Sequence, residues 1–251
     1  MSHSTPKKLA MVSQYKRPPI TEAVIELRFD GKIDRDLIDK LQGRLSTKYP
    51  FSMGGKVWNV EIGDAPPKIR QEFQGYRMTA VDGTGIVVIS PSLISTSRLA
   101  PYSGWEQMIE SAKENWSSWK KIIGYRRLIR VGLRYVNRID IPNPENAPVH
   151  INKYLNLRPE VPVFGFSPIE NFVMNVSIPV GNEELKLILN AGSTPSPLVK
   201  TVSFLLDIDL SRDSNLPQID TDIWSLVDRM RPYKNSVFEG CITDEARGLF
   251  S

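Results

Sequence analysis

Arg127-Leu-Ile-Arg-Val-Gly-Leu-Arg-Tyr-Val-Asn-Arg-Ile-Asp-Ile141 is the stretch whose period decides the fold class. Ile129, Val131, Leu133, Tyr135, Ile139 and Ile141 share one side of an extended chain, and Arg126, Arg130, Arg134 and Arg138 share the other. Side chains alternate between faces along a strand, so this period of two predicts a long β-strand with one buried face. A strand of this kind is stable only within a sheet, and the flanking sequence supplies the other strands.

Immediately upstream the period changes. Trp105, Met108, Ile109, Ala112, Trp116, Trp119 and Ile123 recur at helical spacing, with Ser103 and Glu106 as a capping box and Gly124 as the stop. At that spacing the three tryptophans read as core packing rather than as a stacking platform. Earlier still, Pro18-Pro19 opens a second alternating run. Ala23, Ile25, Leu27 and Phe29 face one way, and Glu22, Glu26 and Arg28 the other. Leu37, Ile38, Leu41 and Leu45 predict a helix from Asp34, closed soon after by Pro50. Strands are expected over Lys56–Ile62, Ile69–Val81, Ile86–Ile89 and Leu93–Leu99, with Asp82-Gly83-Thr84-Gly85 as a hairpin turn.

Downstream, a loop rich in proline and asparagine leads to a short expected helix around Ile151–Leu157. Strands follow near Phe172–Val180, Leu185–Asn190 and Val199–Leu210, with Gly181-Asn182 turning the first pair. A helix begins near Asp220 or Thr221, and a last short one starts at Thr243. Runs of short strands covered by a helix imply an α+β protein, mainly antiparallel sheet with helices on one side. Both halves read strand–helix–strands–helix about a seam near Gly124, the order of a pseudo-duplicated, saddle- or tunnel-like fold. The expected organisation is a flexible tail over 1–17, an N-terminal half over 18–124 and a C-terminal half over 125–251, packed as one compact unit.

At 251 residues, 41% hydrophobic and 24% charged, the chain is ordinary for a protein that buries a core. Cys241 is the single cysteine, which excludes an intrachain disulfide and fits a reducing, cytoplasmic compartment. No run approaches the ~18 apolar residues of a membrane span. Leu9-Ala10-Met11-Val12 is also too short for the apolar region of a signal peptide.

Catalytic chemistry is poorly provided for. His3 and His150 are the only histidines, too few for a His-rich metal site, and a His-based triad is disfavoured. Cys241 lies among Val237, Phe238 and Ile242, a context for a packed thiol. Gly54-Gly55-Lys56 lacks the upstream glycine and the following hydroxyl of a phosphate loop. Asp207, Asp209, Asp213, Asp220 and Asp222 could be drawn into a two-magnesium site. Acids ahead of a helix are expected anyway, with Asp220 or Thr221 as its N-cap. No catalytic residue, metal ligand or cofactor is assigned.

One feature exceeds composition. Between Lys113 and Arg138 eight basic residues face one acid, Glu114, a local +7 against +4 for the whole chain. Arginines four apart on a strand stand roughly 13 Å from one another, which suits an extended anionic partner rather than one phosphate. Two arrangements answer their repulsion. Glu22 and Glu26 share the four-residue spacing and could pair with the ladder across strands, each pair contributing roughly 0.2–1 kcal/mol. The ladder could instead stay open to nucleic acid or to an acidic protein surface. The first is favoured because surface charges are usually solvated or paired, but two acids cannot neutralise four arginines.

Pro18-Pro-Ile-Thr-Glu-Ala-Val-Ile-Glu-Leu-Arg-Phe29 and Leu128-Ile-Arg-Val-Gly-Leu-Arg-Tyr-Val-Asn-Arg-Ile139 resemble a sporadically distributed bacterial family. That family is marked by a PPI-x-E start and an R-x-G-L-R-Y-x-N-R-I strand. The resemblance spans Pro18 to Phe250 and includes the F-x-x-x-I-T element at Phe238–Thr243. It implies no particular activity and a setting among mobile or defence-related genes. Its motif positions fall on Pro19, Glu22, Glu26, Arg130, Arg134, Tyr135, Asn137 and Arg138.

The expected function is a non-enzymatic binding protein without cofactor. Its basic strand face would engage a protein partner or nucleic acid, possible settings being mobile elements, toxin–antitoxin pairs or phage defence, with no membrane involved. Its binding residues would be Arg126, Arg130, Arg134, Arg138, Asn137, Glu22 and Glu26. The alternative is a magnesium-dependent enzyme acting on phosphate compounds in a tunnel lined by arginines and carboxylates.

Overall fold

The computed structural model describes residues 15–61, 68–145, 147–157, 159, 171–180 and 184–251. It is an α+β protein with a large antiparallel sheet and few helices. The strands are β1 (Ile20–Phe29), β2 (Phe51–Glu61), β3 (Lys68–Thr79), β4 (Gly85–Ile89), β5 (Leu93–Leu99), β6 (Leu128–Pro142), β7 (Val173–Val180), β8 (Leu185–Thr194) and β9 (Thr201–Arg212). They hydrogen-bond in the order β2-β3-β4-β5-β1-β6-β9-β8-β7. The helices are α1 (Arg35–Leu45), α2 (Trp105–Ile123), α3 (Asp220–Cys241) and α4 (Asp244–Gly248). Among the described residues no helix is long and apolar enough to cross a membrane. The turn expected at Gly181-Asn182 lies outside the described residues.

Contacts divide the chain into two compact units. One holds Ala23–Gly132 with Asp213–Gln218; the other holds Leu133–Arg212, Ile219–Ser251 and the described residues up to Glu22. β1 and β6 each contribute to both.

In the first unit, α2 lays its apolar stripe on the alternating face of β1. Phe29 meets Trp119 at 4.7 Å between ring centroids, and Trp119 stacks on Trp116 at 4.6 Å. All three tryptophans of α2 are buried, as core packing requires. Asn115, on the same helix face, donates to Tyr49 Oη and Thr96 Oγ1, both at 2.9 Å. The helix stops at Gly124, whose φ of 80° lets its N–H reach the Lys120 carbonyl.

The capping box expected at the start of α2 is not formed. Gly104 occupies the N-cap, so Glu106 sits one position short of where it could reach back. β2 starts at Phe51 rather than Lys56, so Gly54-Gly55 lies within a strand, and its register against β3 shifts between Gly55 and Lys56. In the β3–β4 turn, the Asp82 carboxylate accepts the Thr84 and Gly85 N–H groups and the Thr84 hydroxyl. Those bonds, the backbone ones first, hold its pKa below the ordinary value.

The second unit buries Phe204, Leu206, Ile208 and Leu210 of β9 with Ile139 and Ile141 of β6, and Phe238, Ile242 and Phe250 complete the cluster. The described part of the expected tail is anchored here. Tyr15 donates to Glu239 at 2.8 Å and sets its ring edge-on to Phe250, and Arg17 N–H reaches the Phe250 carbonyl. The helix expected over Ile151–Leu157 is only a 3-10 turn, Ile151–Lys153. Leu155 bridges Ile242, and the Asn156 side chain bonds the Gly240 and Ile242 carbonyls, which draws the backbone out of helical geometry. α3 starts with neither Asp220 nor Thr221 as its cap. Ile219 is the N-cap and has no side-chain acceptor, while Asp220 and Asp222 lie in the first turn, where the helix dipole favours acids. The helix runs through Pro232 to Cys241. α4 has a side-chain cap, with Thr243 Oγ1 accepting the Ala246 N–H at 3.3 Å.

One member of α3's buried stripe is charged. Lys234 falls in register with Ile223, Val227, Met230, Phe238 and Cys241, and places Nζ 3.8 Å from the centre of the Tyr135 ring. Burial, then the Arg231 charge, lowers its pKa to about 7, against a smaller opposing pull from Glu239.

Two stability predictions follow from these cores. Gly75 has φ +111°, and an added Cβ would clash with the Ile89 backbone. Gly75→Ala should cost roughly 1–3 kcal/mol in urea unfolding, with no change in the slope. For Lys234, the unfolded chain binds a proton up to about pH 10.4 and the folded chain only up to about 7, so the native state gains stability as pH rises between them. Lys234→Met should therefore stabilise by roughly 1–4 kcal/mol at pH 7. The gap in Tm between the two proteins should narrow steadily toward pH 10.

Candidate functional site

β6 presents its arginines as the alternation predicts, but it presents them already engaged. In the first unit, Arg130 Nη1 donates to Glu26 Oε1, and the same carboxylate receives Arg28 Nε at 2.8 Å. Gly132 leaves open the space in which the Arg130 guanidinium lies. Arg126 precedes the strand, and its Nη1 donates to the Tyr125 carbonyl. Structural pairing from β1, the arrangement favoured from sequence, accounts for Arg130.

In the second unit the carboxylates come from elsewhere. Arg134 makes a two-pronged contact with Asp207 of β9, Nε to Oδ1 at 2.7 Å and Nη2 to Oδ2 at 2.8 Å. Asn190 of β8 donates to the same Oδ2 at 3.0 Å, and Asn175 of β7 donates in turn to Asn190 Oδ1. A hydrogen-bond chain therefore crosses four strands and ends on one guanidinium. The Arg134 side chain is 50% exposed and that of Asp207 only 4%, so a buried anion holds a half-exposed cation. The Asp207 hydrogen bonds raise the Arg134 pKa, with further support from the charges of Asp207, Asp209 and Glu22. Glu22 thus acts on Arg134 through its field.

Arg138 reaches along its own strand to Asp140, Nε to Oδ1 at 2.9 Å and Nη2 to Oδ2 at 3.0 Å. Ser203 Oγ donates to Asp140 Oδ1 at 2.6 Å. The Asp140 hydrogen bonds raise the Arg138 pKa. Asn137 does not join this face. It is 2% exposed on the core side, where its amide donates to the Tyr135 and Leu206 carbonyls. The family resemblance placed Asn137 among the expected binding residues, but strand alternation turns it away from the arginines.

Asp140 and Asp207 are the residues that sequence reasoning missed as partners. Asp140 was legible, since two residues along a strand share a face. Asp207 was not, because its partner depends on the register of β6 against β9. The same pairing removes Asp207 from the acids that might have held magnesium. Among the described residues no group of three or more His, Cys, Asp or Glu is placed to hold a metal ion. Cys241 is buried, and burial pushes its thiol up to about 11, away from nucleophilic thiolate character. His150 is exposed at the entry to the 3-10 turn.

No protein-family model matches the chain, and no curated protein does. The crystal structure of DynU16, a protein in the dynemicin biosynthetic locus, aligns with 92% of this chain and 98% of its own at 8% identity. Its TM-score is 0.20, a likeness too slight to support an argument about fold or activity.

Proposed function

We propose that the chain is a non-enzymatic binding protein that seats a carboxylate of a partner protein at Arg134 of β6. The observation that supports this is the pre-set geometry of Arg134. Asp207 grips one edge of the guanidinium through Nε and Nη2, while Nη1 makes no hydrogen bond among the described residues. A planar, pre-oriented guanidinium recognises carboxylates well and loses little freedom on binding. Arginine is also enriched among the residues that dominate protein interfaces.

A nucleic acid is the less favoured partner. Protein–nucleic acid affinity draws largely on cations that replace the phosphates' counterions. Here Arg130, Arg134 and Arg138 each hold a carboxylate, and Asp209 and Glu22 add negative field around Arg134.

The finer reading of the fold and setting belongs to the same proposal. Within the N-terminal half, β1 neighbours the last strand of that half, β5; within the C-terminal half, β6 neighbours β9. This shared order supports reading the halves as a duplication. The two segments that resemble the sporadic bacterial family support a mobile-element, toxin–antitoxin or phage-defence setting, and the single cysteine supports a cytoplasmic one.

The test is fluorescence anisotropy with a labelled peptide that sets one glutamate among neutral residues and with labelled single- and double-stranded DNA. The peptide should bind, and Arg134→Ala should weaken it at least about tenfold; because it leaves the buried Asp207 carboxylate unpaired it should also lower Tm, so binding is compared at a temperature at which both proteins are folded. Asp207→Asn should weaken it less, because the guanidinium remains but loses its brace. DNA binding that falls steeply between about 50 and 200 mM salt, and is lost in the Arg134 variant, would replace the protein partner with a polyanion. Binding of neither probe would reject this face as a recognition surface.

A further inference from the structure

Of the eight basic residues between Lys113 and Arg138, Arg130, Arg134 and Arg138 hold carboxylates. The other five lie in the first unit, on α2 or on the connection that carries it into β6. Glu114, the one acid of that run, is held by Lys48. Lys120 and Lys121 stand in the last turn of α2, where the helix dipole accounts for a cation. Arg126 and Arg127 have no such reason. They follow Gly124, past the turn over which the dipole acts. The side chains of Lys121 and Arg127 are exposed and make no hydrogen bond or ion pair among the described residues. Arg126 gives Nη1 to the Tyr125 carbonyl and meets no carboxylate among them.

The connection is anchored on both sides. Gly124 turns the chain out of the helix at φ 80°. The Arg127 carbonyl accepts the Asp30 N–H at 2.8 Å. Gln218 grips both backbone groups of Leu128, accepting its N–H at 2.9 Å and donating to its carbonyl at 3.4 Å. Between these anchors Tyr125 is 69% exposed, with its hydroxyl 3.5 Å from Gln218 Oε1. One exposed aromatic residue is ordinary on a protein surface. Here it is set on a braced backbone between Lys121 on one side and Arg126 and Arg127 on the other.

We infer that this corner binds single-stranded nucleic acid, with Tyr125 stacked on a base and Lys121, Arg126 and Arg127 on the neighbouring phosphates. Stacking on an aromatic ring beside cations that follow the backbone is the general chemistry of single-strand binding. The cations release the counterions of the phosphates, and unlike the arginines of β6 they carry no protein carboxylate that would oppose this. A duplex stacks its bases on one another and hides their faces from Tyr125. The exposed Asp30 is the acid at this corner, and three cations outweigh it. A lipid surface calls for an apolar wedge, which Tyr125 and the 43% exposed Ile129 supply poorly. The corner is independent of the carboxylate seat at Arg134, which belongs to the second unit.

The experiment measures anisotropy of a fluorescein-labelled 12-nucleotide single-stranded DNA, and of its duplex, from about 50 to 200 mM salt. The single strand should bind more tightly than the duplex. Tyr125→Ala should weaken it about fivefold or more, and Tyr125→Phe should restore it, since the ring rather than the hydroxyl stacks. Lys121→Gln and Arg127→Gln should each flatten the dependence of log affinity on log salt by about 0.7. Arg134→Ala should leave single-strand binding unchanged, which separates this corner from the proposed carboxylate seat. Equal affinity for strand and duplex with no effect of Tyr125→Ala would reduce the corner to unspecific charge and overturn the assignment. So would loss of binding in the Arg134 variant alone, or binding to phosphatidylglycerol vesicles with none to the single strand.

Discussion

Pairing each arginine of β6 with a carboxylate is the condition on which the rest of this structure depends. The strand commits one face to the core through Val131, Leu133, Tyr135, Ile139 and Ile141, all buried. Its other face then carries cations whose mutual repulsion would destabilise any sheet that left them alone. The chain meets that condition three ways: from the neighbouring strand β1 with Glu26, from β9 with Asp207, and along β6 itself with Asp140. Each route draws on a strand's period of two, so the electrostatics and the hydrogen-bond ladder fix the same registers. A slip by one residue would break the Arg130–Glu26 and Arg134–Asp207 pairs and turn the apolar side chains outward together.

Much of the fold was legible because its signals are local and periodic. α2, β5 and the face of β1 were read at or near their observed bounds, since seven apolar positions at helical spacing, or four at strand spacing, leave little choice. The misreadings have a common origin in tertiary contact. The segment after Ile151 has helical spacing, yet Leu155 is drawn into a bridge with Ile242, a residue nearly ninety positions away in the chain. α3 has acids where a cap is expected, but the chain enters the helix one residue earlier, at Ile219. Tyr15 fell within the expected flexible tail, and its ring is instead held by Phe238 and Phe250 near the far end of the sequence.

The site divides the same way. That the arginines of β6 share a face followed from alternation, and pairing with Glu22 and Glu26 was the favoured expectation, but which of them meets Arg130 depends on the register of β1 against β6. Asp207 required the register between strands some seventy residues apart, which no local pattern encodes. Lys234 was hidden by its type, because a lysine in a helix reads as a solvated residue unless its neighbours at three and four positions are seen to be apolar. Ile223, Val227, Met230 and Phe238 carry that information, so the stripe was present in the sequence before the buried amine could be recognised.

What the neutralised ladder can recognise differs from what an open one could. A row of free guanidiniums gains from any polyanion, and its affinity is set mainly by charge density and salt. A guanidinium already held along one edge by a buried carboxylate has lost most of that unspecific attraction, but it keeps a fixed direction. Its remaining donors reward an acceptor only in the right place, and the adjacent Asp209 and Glu22 penalise a ligand that spreads negative charge over the face. The balance shifts from strength toward discrimination, as expected where repulsion of wrong partners matters as much as attraction of the right one. That balance favours a folded protein surface, which can offer one carboxylate among neutral and basic neighbours, over a nucleic acid, whose charge is spread along its whole backbone.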